Sequence, residues 1–375
     1  MKFVFWWDSP CKGMIGVLRE FCARFSPESV VITGDTGTKR RNMGWNDVGQ
    51  LFSQHVVINR QDNWVDNTTG YMHQYTSGYI HIFNGIDRDI FNHLVKKAHH
   101  ENIRYGFMTE AYSNLEYGIK RVLKNGYLKI YLPIKLKRIT SKSEIVFCLS
   151  GKKSRDIAQL QNIGFDKEKI IPFGYWTDIN EPVNAKTSKD SLQIICPGVL
   201  EKYKGVEILL RAVKVLTSKG ITNLCCHITG TGSMERHLKS LTKSFKIEQN
   251  IVFYGVLSQN EYDDLIVNMD ILVAPGYNEP WGIRVNESIQ RGQPVICSDG
   301  LGASDLIAES GCGMVFQKGN YKQLADYINV YLSDKNRVIQ DMNYGLLYKD
   351  KISCRTKSEE LFNGLTKLDG DEVLK

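Results

Sequence analysis

Short apolar runs of strand length alternate along this chain with stretches whose apolar residues recur three and four apart, and the alternation is played out twice. Residues 2–7 (KFVFWW) are apolar throughout but for Lys2. They lead through DSPCKG into residues 14–25, where Ile15, Leu18, Phe21, Cys22 and Phe25 fall on one helical face. Gly16 within that stretch is a poor helix residue. Strand-length runs follow at 30–33, 56–59, 79–83, 105–108, 145–149 and 170–172, with helical stretches at 90–100 and 153–162. Residues 177–191 (TDINEPVNAKTSKDS) are polar, unpatterned and carry Pro182, as a linker would. The pattern then restarts, with strands at 193–196, 224–229, 251–254, 271–274 and 295–297 and helices at 206–219, 234–245, 261–268 and 321–332. Strands alternating with helices imply parallel sheets covered on both faces, so the expected class is α/β. The expected domains are 1–176 and 192–338 about the 177–191 linker. A helical tail over 339–375 follows, with a return to the first domain as one course open to it. A length of 375 residues, at about 150 per domain, agrees with two domains.

Composition narrows the class further. With 42% hydrophobic residues the chain can bury a core, which excludes disorder. No run approaches about 18 apolar residues, so no membrane span is expected. The first apolar stretch ends at Asp8 without a small-residue cleavage site, so we read no signal peptide. Nine cysteines, an odd number and without a CxxC, read as free thiols in a reducing cytoplasmic compartment.

The stretch most informative about chemistry is 279–299, EPWGIRVNESIQRGQPVICSD. Pro280 and Gly282 suit a loop, so a helix should start near Ile283 and end at Gly292. The N–H groups of its first turn, from about Gly282 through Ile283 and Arg284 to Val285, would then point at a phosphate-sized anion. Glu287 lies about one turn into the helix and Glu279 on the loop before it. A carboxylate on each side of a diphosphate can accept bonds from the hydroxyls of a ribose and of a hexose. A nucleoside-diphosphate-sugar has that layout.

These residues resemble the E-x7-E region of retaining glycosyltransferases of the two-domain GT-B type, glycosyltransferase family 4. PGVLEKYKG (197–205), ITGTGS (228–233), IVFYGVLSQNEY (251–262), DILVAPGYNEPWG (270–282) and GLGASDLI (300–307) are similar to that family in order and spacing. The first half is similar only through its opening strand–loop–helix and KIIPFGY (169–175). The resemblance implies two Rossmann-like domains facing across a cleft. It implies that Glu287 holds the nucleotide ribose, that Glu279 contacts the donor sugar as the catalytic carboxylate, and that Lys204 neutralises the diphosphate. The family commonly has an arginine where Val199 stands here, and Lys202 or Arg284 would supply the second positive charge. The backbone around Val256 would touch the base, leaving the nucleotide open. Gly13 would let backbone approach a phosphate, or is a plain turn glycine. Glu110, at the end of RYGFMTE, stands where many relatives keep a histidine, and is an acceptor contact or a strand-end surface acid.

No metal is expected, and no cofactor beyond the nucleotide-sugar substrate. Cys225, Cys226 and His227 alternate across a strand and cannot converge on one ion. The DxD triplets Asp87-Arg88-Asp89 and Asp369-Gly370-Asp371 lie at a helix start and in the tail. ITGTGS does not complete GxGxxG, which argues against a nicotinamide cofactor. His81, within YIHIF, reads as a satisfied core histidine.

Charge is uneven. Residues 1–180 carry 25 Lys+Arg against 17 Asp+Glu, and residues 181–375 carry 23 against 24. Eight bases from Lys120 to Lys142, with no acid between Glu116 and Glu144, account for the surplus. Apolar residues are interleaved with them, so the segment is either an anionic-membrane surface or a solvated face over core. No fold or motif supports nucleic acid as a partner. The expected protein is thus a cytoplasmic glycosyltransferase, peripheral on the inner membrane face, acting on a glycan or lipid-linked glycan acceptor in surface-polysaccharide synthesis. The alternatives are an epimerase or phosphorylase of the same fold, or an inactive carbohydrate-binding relative.

Overall fold

The computed structural model describes residues 1–35, 49–59, 63–86, 91–111, 122–124, 126–179 and 191–368. Both DxD triplets, Lys120, Arg121 and most of the 177–191 segment lie outside the described residues. The chain divides into two units, Met1–Thr177 with Cys354–Lys375, and Asp178–Ser353.

The first unit is built on seven parallel strands: β1 (Lys2–Trp7), β2 (Val30–Gly34), β3 (His55–Ile58), β4 (Tyr79–Asn84), β5 (Tyr105–Thr109), β6 (Val146–Cys148) and β7 (Ile170–Pro172). Their order in the sheet is β3-β2-β1-β4-β5-β6-β7. On one face Phe3 and Phe5 meet Phe21 of the helix Lys12–Arg24 edge-on, at 5.8 and 5.4 Å. On the other, Val4 and Trp6 join a core with Phe83, Phe91 and Phe107. A strand covered on both faces has no place for alternating polar residues, which is why FVFWW is apolar at every position.

Gly16 marks a helix crossing. The helix Cys354–Leu365 packs there, and a Cβ on Gly16 would lie 2.7 Å from Cys354 Sγ. Phe362 stacks on Phe25 at 4.6 Å and Glu359 pairs with Arg24 at 2.6 Å. The helix Lys335–Tyr348, by contrast, belongs to the second unit.

The second unit holds six parallel strands: β8 (Leu192–Pro197), β9 (Leu224–Thr229), β10 (Ile251–Gly255), β11 (Ile271–Ala274), β12 (Val295–Ser298) and β13 (Gly313–Phe316). Their order is β10-β9-β8-β11-β12-β13. The edge strand β13 escapes the sequence reading because it has only four residues and opens on a glycine. That glycine is required by close approach, since a Cβ on Gly313 would lie 1.9 Å from the Val295 carbonyl oxygen. Strand order reverses between β8 and β11. Ligands of open α/β sheets bind outside the carboxyl ends of the strands at such a point.

His81 is a fully buried residue of β4. Trp6 Nε1 donates to its Nδ1 at 3.0 Å, and its Nε2 lies 3.1 Å from the Tyr75 carbonyl oxygen. These partners fit only the neutral ring with its proton on Nε2, because a proton on Nδ1 would face the indole N–H. Burial pushes its pKa down to about 4. The folded state therefore binds fewer protons than the unfolded one. This contribution is fully present above about pH 6.5 and is lost as pH falls toward 4, by ~3 kcal/mol. Urea denaturation across that range should show the loss in wild type and a shallower slope in His81→Gln; identical slopes would exclude His81 as its source.

Candidate functional site

The carboxyl end of β8 passes through Lys202, Tyr203, Lys204 and Gly205 into the helix Val206–Ser218. The carboxyl end of β11 passes through residues 275–282 into the helix Ile283–Arg291. Backbone bonds sew these loops together: Tyr277 N–H donates to the Tyr203 carbonyl at 2.8 Å. Gly205, at φ +68°, comes so near that a Cβ there would lie 2.1 Å from the Pro275 carbonyl oxygen. The loop after β12 runs alongside. Glu279 N–H donates to the Gly300 carbonyl at 3.1 Å and Gly302 N–H to the Glu279 carbonyl at 3.2 Å. The backbone of Glu279 is thus held from both directions.

Its side chain pairs with Lys204 Nζ. The Lys204 and Glu279 side chains are 22% and 17% exposed, so a ligand can reach a pair that is otherwise shielded. Burial works against the Lys204 charge, but the Glu279 carboxylate outweighs it and holds the ammonium pKa above its ordinary value. Glycines leave room for the carboxylate. A Cβ on Gly276 would lie 3.4 Å from Glu279 Oε2, and one on Gly282 would lie 3.8 Å from its carboxyl carbon.

The helix Ile283–Arg291 has the expected bounds, with Gly282 and Gly292 both in the left-handed region at φ +98° and +72°. Val285 N–H is already taken by the Gly282 carbonyl at 2.9 Å. The first-turn amides ahead of it are those of Ile283 and Arg284, the groups that a helix start can offer to an anion. One turn on, Glu287 is buried, and Arg284 Nη1 donates to its Oε2 at 2.7 Å. The Arg284 guanidinium lies 4.2 Å over the ring of Tyr262, from the helix Gln259–Ile266. An arginine on its own helix orients Glu287, and an aromatic floor holds the arginine.

Of the residues singled out by sequence, Lys204, Glu279 and Gly282 are brought together, and Ile283, Arg284 and Glu287 share the helix that follows. Lys202 lines a separate small hollow with Glu201, Glu207, Met234 and Tyr277. Val256 is exposed just after the edge strand β10, and Val199 is half-buried after β8. Gly13 and Glu110 belong to the first unit. Gly13 is buried in the first turn of its helix, where its carbonyl accepts from Trp176 N–H at 2.6 Å, and Glu110 is half-buried directly after β5. Sequence reasoning misses Tyr262, because an aromatic on a helix reads as core. Among the described residues no group of three or more His, Cys, Asp or Glu is placed to hold a metal ion.

Residues 178–344, nearly all of the second unit, match the family described as Glycosyl transferases group 1. Over 200 residues the chain is 28% identical to the uncharacterized glycosyltransferase MJ1607 of Methanocaldococcus jannaschii, covering 50% of this chain and 51% of that protein. It is 26% identical over 177 residues to the capsular polysaccharide biosynthesis glycosyltransferase CapM of Staphylococcus aureus, covering 46% of each. The chain spans about half the length of the curated relatives it matches. Its fold is that of GT-B glycosyltransferases. The crystal structure of Anabaena Alr3699/HepE in complex with UDP superposes with a TM-score of 0.72 at 14% identity, over 98% of this chain and 100% of that one.

The contact at Gly205 can be tested against a glycine without neighbours. Gly220 has φ +80° and nothing within 4 Å of a Cβ. Gly220→Ala should cost only left-handed strain, about 1–2 kcal/mol. Gly205→Ala should cost at least twice that, because it must also push the β11 loop away from Lys204. Equal losses in urea denaturation would show that the two loops are not packed as described.

Proposed function

We propose that this chain is a glycosyltransferase that moves a sugar, with retention of configuration, from a nucleoside-diphosphate-sugar to a hydroxyl of a glycan or glycolipid in surface-polysaccharide synthesis. The observation that carries the reading is the Lys204–Glu279 pair at the point where strand order reverses, beside the start of the helix that bears Glu287. Glu287, oriented by Arg284, accepts the ribose hydroxyls. Lys204 and the first-turn amides of Ile283 and Arg284 receive the diphosphate, and Arg284 is the second cation where Val199 leaves none. Glu279 meets the donor sugar. Charge grows on the diphosphate as the glycosidic bond breaks, so a fixed ammonium stabilises the transition state more than the ground state. The departing diphosphate oxygen takes the acceptor's proton, and no protein nucleophile and no metal are required. The acceptor meets the first unit near Glu110, and the enzyme works from the cytoplasmic side, peripheral to the membrane. The HepE structure holds UDP, which makes UDP the first nucleotide to try.

Glu287→Ala should weaken UDP binding about 10- to 100-fold, because ribose hydroxyls lose a charged acceptor worth roughly 1.5–3 kcal/mol. Calorimetry decides, and unchanged affinity removes Glu287 from the donor site. Glu279→Gln removes the counter-charge of Lys204, so affinity for free UDP should hold or rise while transfer from the sugar donor falls; an undiminished kcat would deny Glu279 its role. Transfer should survive EDTA, and a loss restored by Mn²⁺ would overturn the metal-free mechanism.

A further inference from the structure

The basic segment of the first unit carries two apolar faces where a surface helix needs one. Residues 127–131 form a π-helical turn that continues into the helix Leu132–Thr140. Leu128, Leu132 and Leu136, four apart, are buried in the core of the unit with Phe107 and Leu160. That stripe satisfies the helix's need for burial. Leu123, Tyr127, Ile130, Tyr131 and Ile134 are nevertheless exposed, Leu123 by 69%, Ile130 by 66% and Ile134 by 76%. Their spacing of three and four residues places them in a second stripe. Isolated exposed leucines and isoleucines are ordinary, but a contiguous stripe of them is the mark of an interaction surface.

Its surroundings say what kind. Lys124, Lys129, Lys135, Lys137, Arg138 and Lys142 flank the stripe, and no acid lies between Glu116 and Glu144. A second copy of the same face would bring like charges together. Nucleic acid would gain little from exposed aliphatic side chains. An anionic bilayer surface satisfies both features at once, with phosphate headgroups for the bases and the acyl boundary for Ile130 and Ile134. We infer that residues 126–138 dock this protein on an anionic lipid surface, with Ile130, Tyr131 and Ile134 entering the headgroup boundary. This deepens the peripheral location proposed above and rests on it.

The test is flotation of the full chain with vesicles of phosphatidylglycerol and phosphatidylcholine, compared with phosphatidylcholine alone. Wild type should float with the anionic vesicles only. Replacing Lys124, Lys135 and Arg138 together with Ser should weaken partitioning on the order of 100-fold. Replacing Ile130 and Ile134 with Ser removes side chains already mostly in water, so the fold should stand while partitioning drops at least roughly 10-fold. In about 0.5 M salt, where screening acts over a few ångströms, wild-type binding should fall toward the level of the charge variant. Failure of wild type to float, equal binding to both vesicle types, or unchanged binding by the isoleucine variant would each overturn the inference. So would a dimer in light scattering that the isoleucine changes abolish. UDP binding measured on the same proteins separates the two readings. A chain that binds UDP but not vesicles loses the docking surface alone, and one that binds vesicles but no nucleotide loses the proposed activity alone.

Discussion

Lys204 and Glu279 are 75 residues apart in sequence, and their ion pair is the contact around which the loops of the second unit are arranged. Partly buried charges each carry a desolvation cost of several kcal/mol, which only close, well-directed pairing offsets. Such a pair adds little to stability over an apolar isostere, so its use must be sought elsewhere. It fixes an ammonium group beside a helix start without leaving that ammonium uncompensated. The backbone bonds from Tyr277 to Tyr203 and from Glu279 to Gly300 supply the rigidity the pair needs. An anion arriving at the helix start meets a cation whose position is already set, and reorganisation costs little.

Recognition of the diphosphate on this reading does not rely on a broad positive field. The second half of the sequence carries 23 bases against 24 acids. Attraction must therefore be local, through Lys204, Arg284 and helix amides over distances shorter than the ~8 Å screening length of physiological salt. Arg284 serves two ends in this scheme. Its bond to Glu287 sets the carboxylate's direction, and its stacking on Tyr262 limits where the guanidinium can go. Each contact restricts rotamers before a ligand arrives, which lowers the entropy lost on binding.

Much of this was legible in the sequence. The helix at 283–291 is bracketed by Gly282 and Gly292, and backbone chemistry alone announces both ends. The apolar completeness of FVFWW forecasts a strand covered on both faces. Other features depend on what lies across space. Gly16 weakens a helix by propensity and is required by the crossing of Cys354–Leu365, a helix more than three hundred residues away in the chain. β13 is too short to carry a period. The stretch 126–140 yields no helix assignment because apolar residues occupy both of its faces, which blurs the pattern that normally reveals an amphipathic helix.

That blurring is itself informative about selection of side chains. A helix that only covered the core of the first unit would be best served by Leu128, Leu132 and Leu136 with polar residues opposite, as solubility and folding both favour. Ile130 and Ile134 contribute nothing to that core and cost solubility in the free protein. The surrounding bases offset part of this cost, since like charges keep two copies of the stripe apart. On the docking inference, a positive, apolar face repels its own copies in water and gains when a surface of opposite charge and apolar interior is offered. The π-helical turn at 127–131 adds a geometric element: such turns shift the helical phase and recur at functional sites. Here the turn holds Tyr127, Ile130 and Tyr131, in the middle of the exposed stripe, where a change of phase alters which side chains point outward together.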